Sequence, residues 1–190
     1  MRKITKTYSD PLDLIWLEAA RQMGMRIVRS NDVFASWDGK GTLTIGHWST
    51  LDADDCLAQM ILHETCHALV EGPEAFELAD WGLEIDNPAH RVRELACLRL
   101  QAALTSPHGL RQFLAATTNF RRYYDQFPVD PLSGDGDDVK IAAEAMERAS
   151  FGPWAEILQQ ALSRTAAIFR IASECAPPDS LWSLKQTPSH

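Results

Sequence analysis

Two histidines and a glutamate in the stretch MILHETCHALVEG, residues 60–72, have the types and spacing of a catalytic metal-binding motif. His63 and His67 are four residues apart, so on a helix they lie on one face, one turn apart. Their imidazoles can then converge on one zinc ion, with Zn–N distances near 2.0–2.1 Å. Glu64 lies about 100° further round the helix, beside the ion's open position. The pattern predicts that His63 and His67 bind zinc and that Glu64 accepts a proton from water.

A hydrolytic zinc site takes three protein ligands, so a third ligand must come from elsewhere in the chain. Glu71 lies four residues past His67 and would approach the ion from the same side as that histidine. Glu94 is the preferred ligand because it lies in the middle of a second predicted helix, with 26 residues between it and His67. Asp86 and His90 are the alternatives, and His90 is also a candidate catalytic residue that assists as an electrophile. Further acidic candidates are Glu74, Glu77, Asp80 and Glu84.

Hydrolysis of an amide also requires a hydrogen-bond donor for the developing oxyanion. By their chemistry alone, His90, Tyr123 and Tyr124 are candidates for this role. His47 follows a predicted strand and could line a groove in which a peptide substrate adds to the edge of a sheet. Cys97, three residues after Glu94, is chemically capable of binding zinc, although it is first interpreted as a small buried residue.

The composition is that of an ordinary globular protein, with 45% hydrophobic and 23% charged residues among 190. The net charge of −8 disfavours sequence-independent binding to nucleic acid. No segment approaches the roughly 18 apolar residues of a membrane span, and no secretory signal is evident. The four cysteines have no paired spacing, so we expect a cytoplasmic protein with reduced thiols. The six tryptophans are scattered and are expected to pack in the core.

The elements that must position these residues follow from apolar periodicity and from the placement of Gly, Pro and Asp. Helices are predicted at residues 11–22, 50–71, 74–81, 88–104, 107–125, 139–149 and 153–172. Strands are predicted at residues 25–28, 33–37 and 42–45, with a hairpin turn at DGKG, residues 38–41. The fold class is therefore α+β, with a small antiparallel or mixed sheet. The predicted organisation is a core at 1–127, a loop at 128–138, a C-terminal helical extension at 139–176 and a flexible tail at 177–190.

Three consecutive segments, GTLTIGHWST, ILHETCHALVEG and HRVRELACLRLQAAL, resemble the gluzincin metallopeptidases, in particular the small ImmA/IrrE-type domain. The resemblance covers roughly residues 12–104 and implies a minimal zincin-like core. It implies that His63 and His67 are the zinc histidines, that Glu64 is the catalytic base and that Glu94 is the glutamate ligand. The C-terminal half carries no comparable resemblance.

The sequence thus predicts a zinc-dependent metallopeptidase that acts on a peptide or protein substrate, with no nucleic acid or membrane partner. Two alternatives stay open. The first is a non-catalytic zinc-binding module that acts through a protein partner. The second is a zinc hydrolase of a small non-peptide substrate.

Overall fold

The computed structural model describes residues 3–84, 87 and 90–183. These residues form the expected α+β fold, in which one helix and a small sheet are followed by mostly helical chain. The elements in chain order are α1 (Pro11–Gln22), β1 (Arg26–Ser30), β2 (Ala35–Trp37), β3 (Thr42–Gly46), α2 (Leu57–Glu71), α3 (Arg91–Thr105), α4 (Arg121–Asp125), α5 (Asp137–Phe151) and α6 (Ala155–Ser173). Among the described helices, none combines the length and apolarity needed to cross a lipid bilayer.

The three strands form a mixed sheet in the order β1-β3-β2, which leaves β2 as one of its edges. β1 runs parallel to β3, and β2 pairs with β3 in the antiparallel direction. The predicted hairpin turn is confirmed, because the Asp38 carboxylate accepts the main-chain N–H groups of Lys40 and Thr42 at 2.7 and 2.8 Å. Leu43 and Ile45 are fully buried on one face of β3.

α2 carries the motif and is buried along nearly its whole length, from Leu57 to Val70. The run LAQMILHETCHALV has apolar residues on every side of the helix, which is typical of an interior helix rather than a surface one. It packs against α1, α3 and α5. The polar side chains of the motif therefore lie inside the protein, where each needs a partner.

The start of the motif helix differs from the prediction. α2 begins at Leu57, and Trp48–Thr50 forms a separate 3-10 turn. Asp52 and Asp55, which fall at the beginning of the predicted helix at 50–71, lie in a loop, where the Asp52 N–H donates to the Asp55 carboxylate at 2.8 Å. The sulfur of Cys56 accepts the Gln59 N–H at 3.4 Å and caps the helix. This local hydrogen bond to an aspartate competes with helical hydrogen bonding, so the helix begins later in the chain than predicted.

Two other predicted helices are wrong. Residues 74–81 form two 3-10 turns, Pro73–Glu77 and Ala79–Gly82, broken by positive φ angles of 46° at Asp80 and 60° at Trp81. Between the 3-10 turn at Ser106–His108 and α4, the chain is irregular. A continuous helix at 107–125 is lost because left-handed Gly109, at φ 69°, ends the first turn. The predicted beginning of α3 at residues 88–89 lies outside the described residues.

The C-terminal helices share the hydrophobic core with the motif helix. α5 packs on α3 and α2, and α6 packs on α1. The Trp16 indole donates to the Thr165 hydroxyl at 3.0 Å, and Arg148 donates to the Leu69 carbonyl at the end of α2 at 2.8 Å. Trp182, in the predicted tail, packs on the Phe113 ring with centroids 4.5 Å apart. The domain boundaries stay a prediction, and residues 184–190 lie outside the described chain.

Candidate metal centre

The ring nitrogens of the two motif histidines face each other, and Glu94 of α3 faces both. The Nε2 atoms of His63 and His67 are 3.2 Å apart. Glu94 Oε2 lies 3.2 Å from His67 Nε2, and Glu94 Oε1 lies 3.9 Å from His63 Nε2. Donors held at 2.0–2.1 Å by a tetrahedral zinc ion are about 3.3 Å from one another. The three side chains therefore have nearly the mutual spacing of zinc ligands.

Cys97 approaches the same cluster from the other side of the His63 ring. The ligand atoms of His63, His67 and Cys97 all lie within 4.8 Å of one another, so this group could hold a metal ion. The Cys97 sulfur is 3.7 Å from His63 Nδ1 and donates to the His63 carbonyl at 3.5 Å. Glu94 faces the Nε2 side of that ring instead. The Cys97 sulfur thus contacts the Nδ1 side of His63, whereas the Glu94 carboxylate lies against Nε2.

Gln101 determines which nitrogen of His63 is available to a metal. Its side-chain NH2 donates to the Leu114 carbonyl at 2.7 Å, which leaves its Oε1 facing His63 Nδ1 at 2.9 Å. Because Oε1 can only accept, Nδ1 carries the proton and Nε2 presents its lone pair. The free lone pair points toward His67 and Glu94. This arrangement favours Glu94 over Cys97 as the third ligand.

Gln101 is not among the site residues predicted from the sequence, although a signal for it was present. Gln101 is the single uncharged polar residue in the run LACLRLQAAL, and it lies two helical turns after Glu94 on the same face. It is fully buried. A buried amide on the face that carries a metal ligand is a candidate for orienting another ligand.

Gln101→Leu is expected to lower zinc affinity about 10–100-fold, the usual effect of losing the partner that orients a metal-binding histidine. Thr105→Val is the matched control, because Thr105 is a fully buried neighbour on α3 whose hydroxyl donates to the Gln101 carbonyl and not to His63. Competition with a chromophoric chelator measures both affinities. Equal affinities in Gln101→Leu and the wild-type protein would contradict the orienting role.

The cluster contains buried polar atoms that lack partners. Among the described residues, Glu94 Oε1 and His67 Nδ1 have no hydrogen-bond partner. Burial opposes the charged form of Glu94, but the hydrogen bond with His67 and the charges of both histidines lower its pKa to about 2. Burial also opposes charge on His67, but the Glu94 bond outweighs it and raises the pKa of His67. Glu94 is thus a carboxylate at neutral pH, the form that binds metals, and its free oxygen is the kind of atom that a cation satisfies.

The Glu64 carboxylate is held by a tryptophan from outside the motif helix. The Trp81 indole N–H donates to Glu64 Oε2 at 2.9 Å. Trp81 is buried, and its ring stacks on Trp37 with centroids 4.5 Å apart. The sequence predicted Trp81 only as a packing residue. Its bond to Glu64 depends on the positive φ angles at Asp80 and Trp81, which no local pattern indicates.

A cavity of about 460 Å³ opens beside the cluster and includes the predicted catalytic residues. Its lining residues include Ala35, Glu64, His67, Trp81, His90, Arg91, Glu94, Asn119 and Phe120. His90 Nδ1 accepts the main-chain N–H of Glu84 at 2.8 Å. Its proton is therefore on Nε2, and His90 is a neutral hydrogen-bond donor at the cavity wall.

The structure does not bring every predicted site residue to the cavity. Asp86, the alternative ligand, lies outside the described residues. The Tyr123 hydroxyl donates to a carboxylate on α5, and the Tyr124 hydroxyl donates to a main-chain carbonyl, both at 2.7 Å. The His47 ring contacts a serine hydroxyl at 2.9 Å, and Glu71 pairs with an arginine of α3 at 3.0 Å. None of these four is among the described residues that line the cavity.

No protein-family model matches this sequence, and neither the curated proteins nor the solved structures contain a significant match. Membership of the ImmA/IrrE-type metallopeptidases therefore stays a prediction.

Proposed function

We propose that this protein is a zinc-dependent hydrolase that cleaves amide bonds, with His63, His67 and Glu94 as the metal ligands and Glu64 as the general base. The observation that carries the proposal is the meeting of three side chains beside the buried Glu64 carboxylate. Their two Nε2 atoms are 3.2 Å apart, and the two Glu94 oxygens lie 3.2 and 3.9 Å from these nitrogens. The single lone pair of His63 and the unpartnered oxygen of Glu94 both fit a bound cation.

Zinc, when bound by these ligands, supplies Lewis-acid polarisation of a carbonyl group and makes water more acidic. Glu64 accepts a proton from the attacking water through its Oε1, because Oε2 is engaged by Trp81. The water oxygen bonds to the carbonyl carbon, the C–N bond then breaks, and Glu64 returns the proton to the leaving amine. His90, a neutral donor at the cavity wall, is suited to stabilise the oxygen on which negative charge develops.

A purely structural zinc site is the main rival interpretation. Structural zinc sites are closed, with four protein ligands, whereas catalytic sites have three protein ligands and an open position. The cluster offers three ligands on the Nε2 side of His63, and a cavity lies against Glu64, His67 and Glu94. This arrangement supports catalysis more than a structural role.

Removal and return of zinc test the proposal. We expect the wild-type protein to hold about one zinc ion per chain, the stoichiometry of a single three-ligand site. It should hydrolyse amides from a library of capped dipeptides and longer quenched peptides. Activity should disappear after dialysis against a chelator and return with stoichiometric zinc but not with magnesium, which prefers oxygen ligands. Equal turnover by the metal-free protein would overturn the proposal, and His63→Ala serves as the metal-deficient control.

A further inference from the structure

β2, the edge strand beside the cavity, directs the main-chain groups of alternate residues toward β3 and toward the open edge of the sheet. Phe34 and Asp38 make main-chain hydrogen bonds to β3, at 2.8 and 3.0 Å. In an antiparallel pair, alternate residues face the partner strand. Ser36 therefore also faces β3, whereas Ala35 and Trp37 direct their N–H and C=O groups to the open edge. These two residues are the positions at which an extended peptide would pair with the sheet.

At one of these two positions, Trp37, the outward main-chain N–H is already bound by a side chain of the protein itself. Asp80 Oδ1 accepts the Trp37 main-chain N–H at 3.0 Å and the Ser36 hydroxyl at 2.9 Å. The Trp37 indole N–H donates to the Phe76 carbonyl at 3.0 Å. The segment that supplies these acceptors, residues 76–82, thus lies directly along the downstream half of the edge.

This covering segment is packed tightly against the sheet. A Cβ atom at Gly39, in the hairpin turn, would lie 2.9 Å from the Glu77 carbonyl, so the turn and the segment are in close main-chain contact. The stacking of Trp81 on Trp37, with an angle of 5° between the rings, adds a second contact. The same segment positions Glu64 through Trp81. Moving it aside for a peptide would also release Glu64.

Ala35 remains accessible at the upstream end of the edge. Within the described chain, its outward N–H and C=O groups have no hydrogen-bond partner, and Ala35 lines the cavity. The next outward position along the strand is two residues, or about 6.8 Å, further on. There a bound peptide would meet Asp80. The cavity of about 460 Å³ is within the usual range for small-molecule sites.

We infer that the substrates of this site are short amides, such as capped dipeptides or the ends of chains, that pair with the sheet at Ala35 alone. Extended internal peptide segments are disfavoured because the Asp80 carboxylate already accepts the Trp37 N–H. This inference rests on the proposed amide hydrolysis and names the substrate class of the same site.

Asp80→Gly tests the inference, because glycine tolerates the φ of 46° at this position and removes the carboxylate. Asp80→Asn is the matched control, since its amide oxygen can still accept the Trp37 N–H and asparagine also tolerates positive φ. The probes are a capped dipeptide amide and a peptide of about ten residues with the same central pair, long enough to add a full strand.

The wild-type protein and Asp80→Asn should hydrolyse the dipeptide at least as efficiently as the long peptide, by kcat/KM. Asp80→Gly should raise the ratio of kcat/KM for the long peptide to kcat/KM for the dipeptide by about threefold to tenfold over the wild-type ratio, the effect of one main-chain hydrogen bond. A wild-type preference for the long peptide of tenfold or more would overturn the inference.

Hydrogen exchange at the Trp37 amide separates this inference from the proposed chemistry, because it needs no turnover. The amide should be protected in the wild-type protein and Asp80→Asn, and added long peptide should not change its exchange rate. In Asp80→Gly it should exchange faster and become protected when a non-cleavable long peptide is added. If the wild-type amide exchanges as fast as that of Asp80→Gly, the edge is open and the inference fails, whether or not the protein is a hydrolase.

Discussion

Glu94→Ala is expected to lose the bound zinc, whereas Cys97→Ser is expected to retain about one ion per chain, as a single site requires. The reason is the proton on His63 Nδ1, which leaves only Nε2 for the metal. Nε2 lies 3.9 Å from a Glu94 oxygen, whereas the Cys97 sulfur contacts Nδ1. Elemental analysis of protein purified without added metal measures this difference directly. Asp86→Ala should also retain the ion, because we propose Glu94 as the carboxylate ligand.

The same variants differ in the thermal stabilisation that zinc produces. Free zinc at a thousand times its dissociation constant stabilises a folded protein by about 4 kcal/mol. For a chain of this length that is a rise in Tm of roughly 8–16 °C. We expect this rise in the wild-type protein and in Cys97→Ser, and its near absence in Glu94→Ala. If Cys97→Ser loses the ion and Glu94→Ala retains it, the third ligand is the thiol and the proposed ligand set is wrong.

Glu64→Gln is expected to lower kcat by about 10²–10⁴-fold, the usual contribution of a general base, while zinc remains bound. The amide has nearly the same shape as the carboxylate, and its oxygen can still accept the Trp81 indole N–H. It cannot accept a proton from water at neutral pH, so proton transfer alone is removed. Steady-state kinetics and zinc content, measured on the same preparation, separate the loss of the base from the loss of the metal.

Glu84→Gln is the matched control for the Glu64 variant, because Glu84 is a second carboxylate that lines the cavity but is not adjacent to a histidine of the motif. We expect it to retain near wild-type kcat. If Glu64→Gln keeps full biological activity while His63→Ala loses it, the metal is needed and hydrolysis is not. That result would favour a zinc-binding module that acts through a partner over an enzyme.

Local spacing in the sequence was sufficient to predict much of the fold and the pair of histidines at the centre of the candidate site. The pairing of His63 and His67 follows from the geometry of a single helix, since residues four apart always share a face. The small sheet, its hairpin turn and α1 follow from similarly local patterns, as does the C-terminal helical pair. The predictions failed where local alternatives competed, as at residues 52–55 and 107–125, because side-chain hydrogen bonds and a left-handed glycine there override helical periodicity.

The partners of the site residues were decided only by the tertiary structure. Gln101 contacts His63 across 38 positions of the chain, and Trp81 reaches Glu64 across 17. Asp80, which lies 43 residues after Trp37 in the chain, covers the edge strand by binding the Trp37 N–H. Such contacts depend on how α2, α3 and the sheet pack together, and the positive φ at Trp81 is unusual for a bulky residue. The sequence by itself therefore determined which side chains can bind a metal, and the packing of the elements decided which atoms of those side chains face one another.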